Sequence, residues 1–190
     1  MLRWSRQHDA AVVGSLSCHL LDEERCVNRC FFMTPEGLMG WYDKRHLFRF
    51  AGEDASYSPG AEQMTISWRG WDILLQVCYD LRFPESSRNF QDEPYDLALY
   101  VANWPEVRAS AWSALLPARA IENQAYVAGV NRIGLDANGV HHNGLSAIHA
   151  PKGDVVLAAQ ANATQWISAM LSRAELNHYR ERFPVLNDIV

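Results

Sequence analysis

Two side chains in the middle of this chain have the chemistry needed to attack and polarise a carbonyl group. Cys78 stands at the end of an apolar run, Trp71 to Val77, where a polar turn begins. A cysteine at a strand-to-helix corner can face a cleft, and such a corner presents backbone N–H groups to a developing oxyanion. Lys44 lies among aromatic and apolar residues and supplies a fixed positive charge. The combination indicates an acyl-transferring hydrolase with a cysteine nucleophile.

The surrounding pattern predicts strands that end at both of these groups. Strands are predicted at 10–16, 27–33, 38–44, 64–68, 71–77, 96–103, 125–131, 145–150, 154–159 and 164–170, and helices at 1–8, 84–90, 107–124 and 173–182. Hairpins thus alternate with strand–helix–strand units. A mixed sheet covered by helices is the expected α/β architecture.

Five segments, in order, resemble the landmarks of the nitrilase, or carbon–nitrogen hydrolase, superfamily, and most closely its omega-amidase branch. They are DKRHLF, CYDLRFPE, YVANWP, ARAIENQAYVAGVNRIG and GLSAIHAPKG, and the resemblance spans residues 10 to 170. It implies an α-β-β-α sandwich of two stacked mixed sheets. It also implies hydrolysis of a small carboxylic amide, 2-oxoglutaramate or 2-oxosuccinamate, to the 2-oxo acid and ammonia through a thioester on Cys78.

The same resemblance assigns roles to individual residues. The catalytic residues would be Cys78 as nucleophile, Lys44 as oxyanion donor and Glu53 as the carboxylate that orders the lysine. The substrate-binding residues would be Tyr79 (through its backbone N–H), Asn103 and Trp104. Four further matches are expected to form a buried polar network and an oligomer contact: Arg119, Glu122, Asn131 and Arg132.

One part of the family pattern has no match here. The glutamate general base of the family belongs to an LPE-like segment before the region that matches Met1. The resemblance therefore predicts an N-terminally incomplete member, lacking a first strand–helix–strand unit of roughly 60 residues. The spacing of Asp80, Glu53 and Glu122 does not single out any of them as a substitute base. We expect one hydrolase domain over residues 1–190, with a C-terminal helix and tail over 173–190.

Composition excludes several classes of function. The formal net charge of −5 offers no basic surface for nucleic acid, and no apolar run reaches the ~20 residues that cross a bilayer. The four cysteines make no dense disulfide pattern, which favours a reduced, cytoplasmic setting. Cys26 and Cys30 are interpreted as structural, and His141 and His142 as solvent-facing loop residues, so no metal or organic cofactor is expected.

Other readings remain open at this point. The amide could be an N-carbamoyl amino acid or another small acid amide, with the same chemistry. A catalytically silent member that lacks the general base is the alternative from another class. The expected partners are a small-molecule amide and further copies of this chain, as a homodimer or larger homo-oligomer.

Overall fold

The computed structural model describes residues 1–21 and 25–189. Its helices are α1 (Leu2–His8), α2 (Glu53–Ser56), α3 (Ala109–Asn123) and α4 (Arg173–Arg182). Its strands are β1 (Val12–His19), β2 (Cys26–Thr34), β3 (Gly37–Asp43), β4 (Thr65–Trp68), β5 (Trp71–Val77), β6 (Leu97–Ala102), β7 (Tyr126–Asn131), β8 (Ile133–Leu135), β9 (His141–Asn143), β10 (Ala147–His149) and β11 (Val155–Ala158). None of the described helices is long and apolar enough to cross a membrane.

The strands form two main sheets and a small hairpin. Strands β1, β2 and β3 make an antiparallel sheet in that order. The second sheet has the order β11-β10-β7-β6-β5-β4, and the hairpin joins β8 to β9. Strands β5, β6 and β7 run parallel, with antiparallel strands on both sides. The sheet is therefore mixed, as expected for an α/β chain of this pattern.

The two main sheets pack face to face through one apolar layer. Its buried side chains alternate along β2 and β5, which is the period of a strand with one face in a core, and β3 and β4 contribute one side chain each. They are Cys30, Phe32, Tyr42, Ile66, Ile73, Leu75 and Val77. This stacking is the sheet–sheet half of the expected sandwich.

Helix α3 covers the outer face of the larger sheet. Trp112 and Leu116 pack there against Leu74, Ala98 and Val127. The approach is close at Gly129 of β7, where an added Cβ would lie 2.7 Å from both Trp112 and Leu116. Helix α3 also tolerates Pro117 in its interior, although proline removes one helical hydrogen bond.

Two predicted elements are wrong. No strand forms at 164–170, where Trp166 and Met170 are almost fully exposed and no sheet face receives their side chains. The helix predicted at 84–90 is a single 3₁₀ turn, Pro84–Ser86. There the polar groups bond to distant partners instead of to a helix: Ser86 Oγ donates to Gln76 Oε1 at 2.6 Å, and the Asn89 side chain bonds to Tyr95 and Asn123.

Candidate active site

The site lies beyond the carboxyl ends of the three parallel strands. Cys78 follows β5, Asn103 follows β6 by one residue, and Asn131 ends β7. Side chains at this edge of a parallel sheet converge on one crevice. Asn131 fixes the crevice floor, because its Oδ1 accepts from Trp104 N at 2.7 Å while its Nδ2 donates to the carbonyls of Trp104 and Gly144.

Cys78 has a backbone conformation that few residues other than glycine adopt. Its φ is 48°, and it begins a 3₁₀ turn, Cys78–Arg82. A non-glycine residue in the left-handed region costs about 1–3 kcal/mol, and such residues cluster at functional sites. Tyr79 N–H lies in the first turn of this 3₁₀ segment, where N–H groups have no partner within the helix. The turn is anchored from α3 by Arg119, whose Nε and Nη2 donate to the Leu81 carbonyl at 3.0 and 2.8 Å.

Lys44 and Glu53 form a shielded ion pair beside the cysteine. Lys44 is 3% exposed, and its Nζ lies 2.6 Å from Glu53 Oε2. The same carboxylate oxygen accepts from Phe48 N at 2.6 Å, and Asn28 Nδ2 approaches Oε1 at 3.4 Å. Because both side chains are shielded from water, the ion pair holds the Lys44 ammonium in one position.

The backbone at Lys44 is held just as closely. Lys44 N donates to Asn28 O, and Gly60 N donates to Lys44 O, both at 2.9 Å. A Cβ on Gly60 would lie 2.1 Å from the Asp43 carbonyl oxygen, so only glycine fits at this contact.

Asp80 joins the lysine segment to the cysteine turn. Its carboxylate is fully buried; Oδ2 accepts from Tyr42 OH at 2.8 Å and from Val77 N at 3.1 Å. Oδ1 accepts from His46 N at 2.9 Å and lies 2.9 Å from His46 Nδ1. The sequence indicated Asp80 only as one of three candidate carboxylates for a substitute base. Its oxygens are instead occupied by these donors, and it lines neither cavity beside Cys78.

Cys78 stands where two cavities meet. The first cavity contains Lys44, Glu53 and Asn103, and the second contains Tyr79, Asn103 and Trp104. The structure thus brings all six predicted site residues to Cys78 or its two cavities. Trp104 is buried and packs on Trp112, so it forms a wall of the second cavity.

The surroundings of the Cys78 thiol act on its pKa in opposite directions. Burial raises the pKa above the usual value, and the charge of Lys44 together with a backbone hydrogen bond at Asn103 lowers it in part. The negative charges of Glu53 and Asp80 raise it further. The thiolate therefore depends on Lys44 for its stabilisation, as expected for a nucleophile beside a cation.

Two sequence-based expectations for polar residues need correction. Arg132 is exposed, not part of a buried network, and donates to the Leu135 carbonyl at 3.1 Å. His142 is a buried residue of β9, whereas its neighbour His141 is exposed, because adjacent strand residues face opposite sides. Arg119 is buried as expected, and its Nη1 lies 2.9 Å from Glu122 Oε1.

Among the described residues, no group of three or more His, Cys, Asp and Glu side chains could hold a metal ion.

Comparison with known proteins identifies the family of this chain. Residues 1–181 match the family model described as carbon–nitrogen hydrolase. The chain is 51% identical over 184 residues to an omega-amidase, YafV, of Escherichia coli K12, which covers 97% of this chain and 70% of that protein. It is 38% identical to a 2-oxoglutaramate amidase of Paenarthrobacter nicotinovorans, over 85% of this chain and 56% of that protein.

A solved structure shares the fold. A carbon–nitrogen hydrolase superfamily protein of Xanthomonas campestris, crystallised with an arsenic adduct in its active site, superposes with a TM-score of 0.94 at 42% identity. The superposition covers all of this chain and 72% of that one. From the family match, the relatives and the shared α/β sandwich, the chain belongs to the carbon–nitrogen hydrolase, or nitrilase, superfamily of amide-hydrolysing enzymes.

Proposed function

We propose that this protein is an omega-amidase that hydrolyses the terminal amide of a short 2-oxo dicarboxylic acid monoamide such as 2-oxoglutaramate. The observation that carries the proposal is the single cavity that holds Cys78, Lys44 and Glu53. The names of the relatives, omega-amidase and 2-oxoglutaramate amidase, support the substrate class.

In the first chemical step, the Cys78 sulfur attacks the amide carbon. Electron density moves to the carbonyl oxygen, and Lys44 Nζ and the Tyr79 N–H donate to this oxyanion. The C–N bond then breaks, leaving a thioester on Cys78. The proton of the thiol passes to the leaving nitrogen, so ammonia departs neutral and the step is balanced. A thiol with a raised pKa carries this proton into the reaction.

In the second step, water cleaves the thioester and needs a base to accept its proton. Among the described residues, Glu53 is the carboxylate that lines the cavity shared by Cys78 and Lys44. Two short hydrogen bonds from Lys44 and Phe48 occupy its Oε2, so this oxygen is not free to accept a proton from water. Glu122 is bound to Arg119 and lines neither cavity. Loss of a positioned general base typically slows such a step by roughly 10²–10⁴-fold.

The test of this proposal is ammonia release from 2-oxoglutaramate. For the 190-residue chain we expect a burst of roughly one ammonia per chain, because acylation needs no external base, followed by slow turnover. Intact-mass spectrometry should show the acyl group on Cys78 during the slow phase. The Cys78→Ser variant should show neither burst nor adduct.

Three outcomes would change the proposal. Full, burst-free turnover would make Glu53 or another described carboxylate an effective base. A burst with N-carbamoyl amino acids but not with 2-oxoglutaramate would show that the substrates are N-carbamoyl amino acids instead. No adduct with any small amide would support the catalytically silent alternative.

We also propose that the chain forms a homodimer or larger homo-oligomer. Large apolar side chains are exposed beside α3 and in the C-terminal segment: Val107, Ile121, Trp166, Met170 and Phe183. Isolated exposed apolar residues are common, but such groups beside one helix favour a protein interface. Light scattering behind a sizing column should give a mass of two chains or more, reduced by Val107→Glu. A monomer at every concentration would contradict this.

A cytoplasmic location belongs to the same proposal. Cys18, Cys26, Cys30 and Cys78 are all free thiols. A reducing compartment keeps such thiols intact, and the proposed chemistry requires a free thiol at Cys78.

A further inference from the structure

The second cavity at Cys78 carries positive charge at a distance from Lys44. Arg82 and Arg108 both line it, with the aromatic side chains of Phe48 and Phe50. Lys44 and Glu53 belong to the other cavity, so the two cavities meet at Cys78 with different chemistry. An extended substrate with its amide at Cys78 and Lys44 would place its remaining atoms in the second cavity.

Arg108 has unused hydrogen-bonding capacity. Its guanidinium lies over the rings of Phe48 and Phe50, 5.1 and 5.3 Å from their centroids. Within residues 1–21 and 25–189, no carboxylate lies within ion-pair distance of Arg108, and its side chain donates no hydrogen bond. Stacking uses the faces of the guanidinium and leaves its edge N–H groups open to a planar anion.

The backbone below Arg108 is fixed. The Arg108 carbonyl accepts from Trp104 Nε1 at 2.8 Å, and Ala109 begins α3 directly afterwards. The side chain therefore extends from a fixed backbone position next to Trp104, a wall of the second cavity. A binding residue placed on a rigid element loses less entropy when it captures a ligand.

The other charges of the cavity do not cancel this one. Arg82 adds a second cation, stacked over Trp104 at 5.1 Å from the ring centroid. Among the described lining residues, Asp136 is the one carboxylate. Its Oδ1 accepts from the backbone N–H groups of Asn138 and Val140, so it is committed to its own loop. The cavity therefore favours an anion.

We propose that Arg108 binds the terminal carboxylate of the substrate and so selects 2-oxo acid amides over neutral amides of the same length. The inference rests on the proposed function, because a short dicarboxylic acid monoamide carries a carboxylate beyond its scissile amide. The ring faces of Phe48 and Phe50 support the guanidinium, and Arg82 strengthens the positive potential in the same cavity.

The first test compares two substrates in one set of variants. For Arg108→Met we expect kcat/KM, or the burst rate, to fall roughly 10- to 100-fold for 2-oxoglutaramate, the usual effect of losing a charge-assisted hydrogen bond. The rate with neutral pentanamide should change less than about twofold. Arg108→Lys should lie between. Arg49→Met is the matched control, because Arg49 is an exposed arginine beside Phe50 that lines neither cavity.

A second test does not require turnover. The product 2-oxoglutarate should protect Cys78 from alkylation by iodoacetamide in the unaltered chain and in Arg49→Met, but not in Arg108→Met. Equal losses for 2-oxoglutaramate and pentanamide, or protection that survives Arg108→Met, would overturn the assignment. Absent protection in the unaltered chain would overturn it as well. If no amide is cleaved while protection depends on Arg108, the proposed activity fails and the carboxylate site stands.

Discussion

Methionine in place of Lys44 is expected to lower the rate of acylation by roughly 10²–10³-fold, the usual cost of removing one oxyanion donor. Lys44 is shielded from water and held by Glu53, so its charge acts at nearly full strength on a developing oxyanion. The rate is read from the ammonia burst with 2-oxoglutaramate. Circular dichroism melts and the double variant Lys44→Met, Glu53→Gln control for a buried carboxylate left without its partner.

The same variant should change the titration of the thiol. Lys44 lowers the pKa of Cys78 and Glu53 raises it. Lys44→Met should therefore shift the pH profile of iodoacetamide labelling at Cys78 to higher pH, and Glu53→Gln should shift it to lower pH. Because the thiolate is the form that reacts, labelling at neutral pH should slow in the first variant and accelerate in the second. Shifts of the same sign in both variants would contradict the assigned electrostatics.

The second large effect is expected on stability. Asp80→Asn should lower the free energy of unfolding by about 3 kcal/mol, because two of the four contacts, one of them from a backbone N–H, would face an amide NH₂. Backbone N–H groups approach both carboxylate oxygens, from His46 on one and Val77 on the other. Neither orientation of an asparagine side chain can accept from both.

Urea unfolding would measure this change. The control is Asp54→Asn, an exposed carboxylate 4.0 Å from Arg49, which should alter stability by less than about 0.5 kcal/mol. Equal midpoints for the two variants would show that the Asp80 contacts contribute nothing measurable. Loss of the acylation burst in folded Asp80→Asn would further indicate that the contacts position Lys44 relative to Cys78.

The candidate site was largely predictable because its residues leave predicted strands at recognisable points. Lys44 follows β3, Cys78 follows β5 and Asn103 follows β6. The period of the sequence predicts where these strands end, and the resemblance predicts that the residues at those ends share one site. What the pattern did not predict is the function of Asp80, whose main partner Tyr42 lies 38 residues earlier. The hydrophobic periodicity of a strand or helix cannot predict a contact between residues so far apart in the sequence.

The errors in the fold have a common physical cause. The segment 164–170 has strand-forming residues but pairs with no described strand, and its large side chains stay exposed. The residues after Pro84 satisfy their polar groups through distant side chains. The exposed Arg132 and the buried His142 depend likewise on how the β8–β9 hairpin lies against the site. Propensity is local, whereas burial is decided by the assembled tertiary structure.

At Cys78, the residue type that the proposed chemistry requires differs from the one that best fits the backbone, because its φ is positive. Glycine would adopt a φ of 48° without the steric penalty of a Cβ, so relief of that penalty favours glycine at this position, although no glycine can be a nucleophile. Searches for stabilised variants by survival on heating alone would be drawn toward changes in this turn and would lose the thiol or its orientation. Directed evolution at the end of β5 therefore needs a screen for activity as well as for stability.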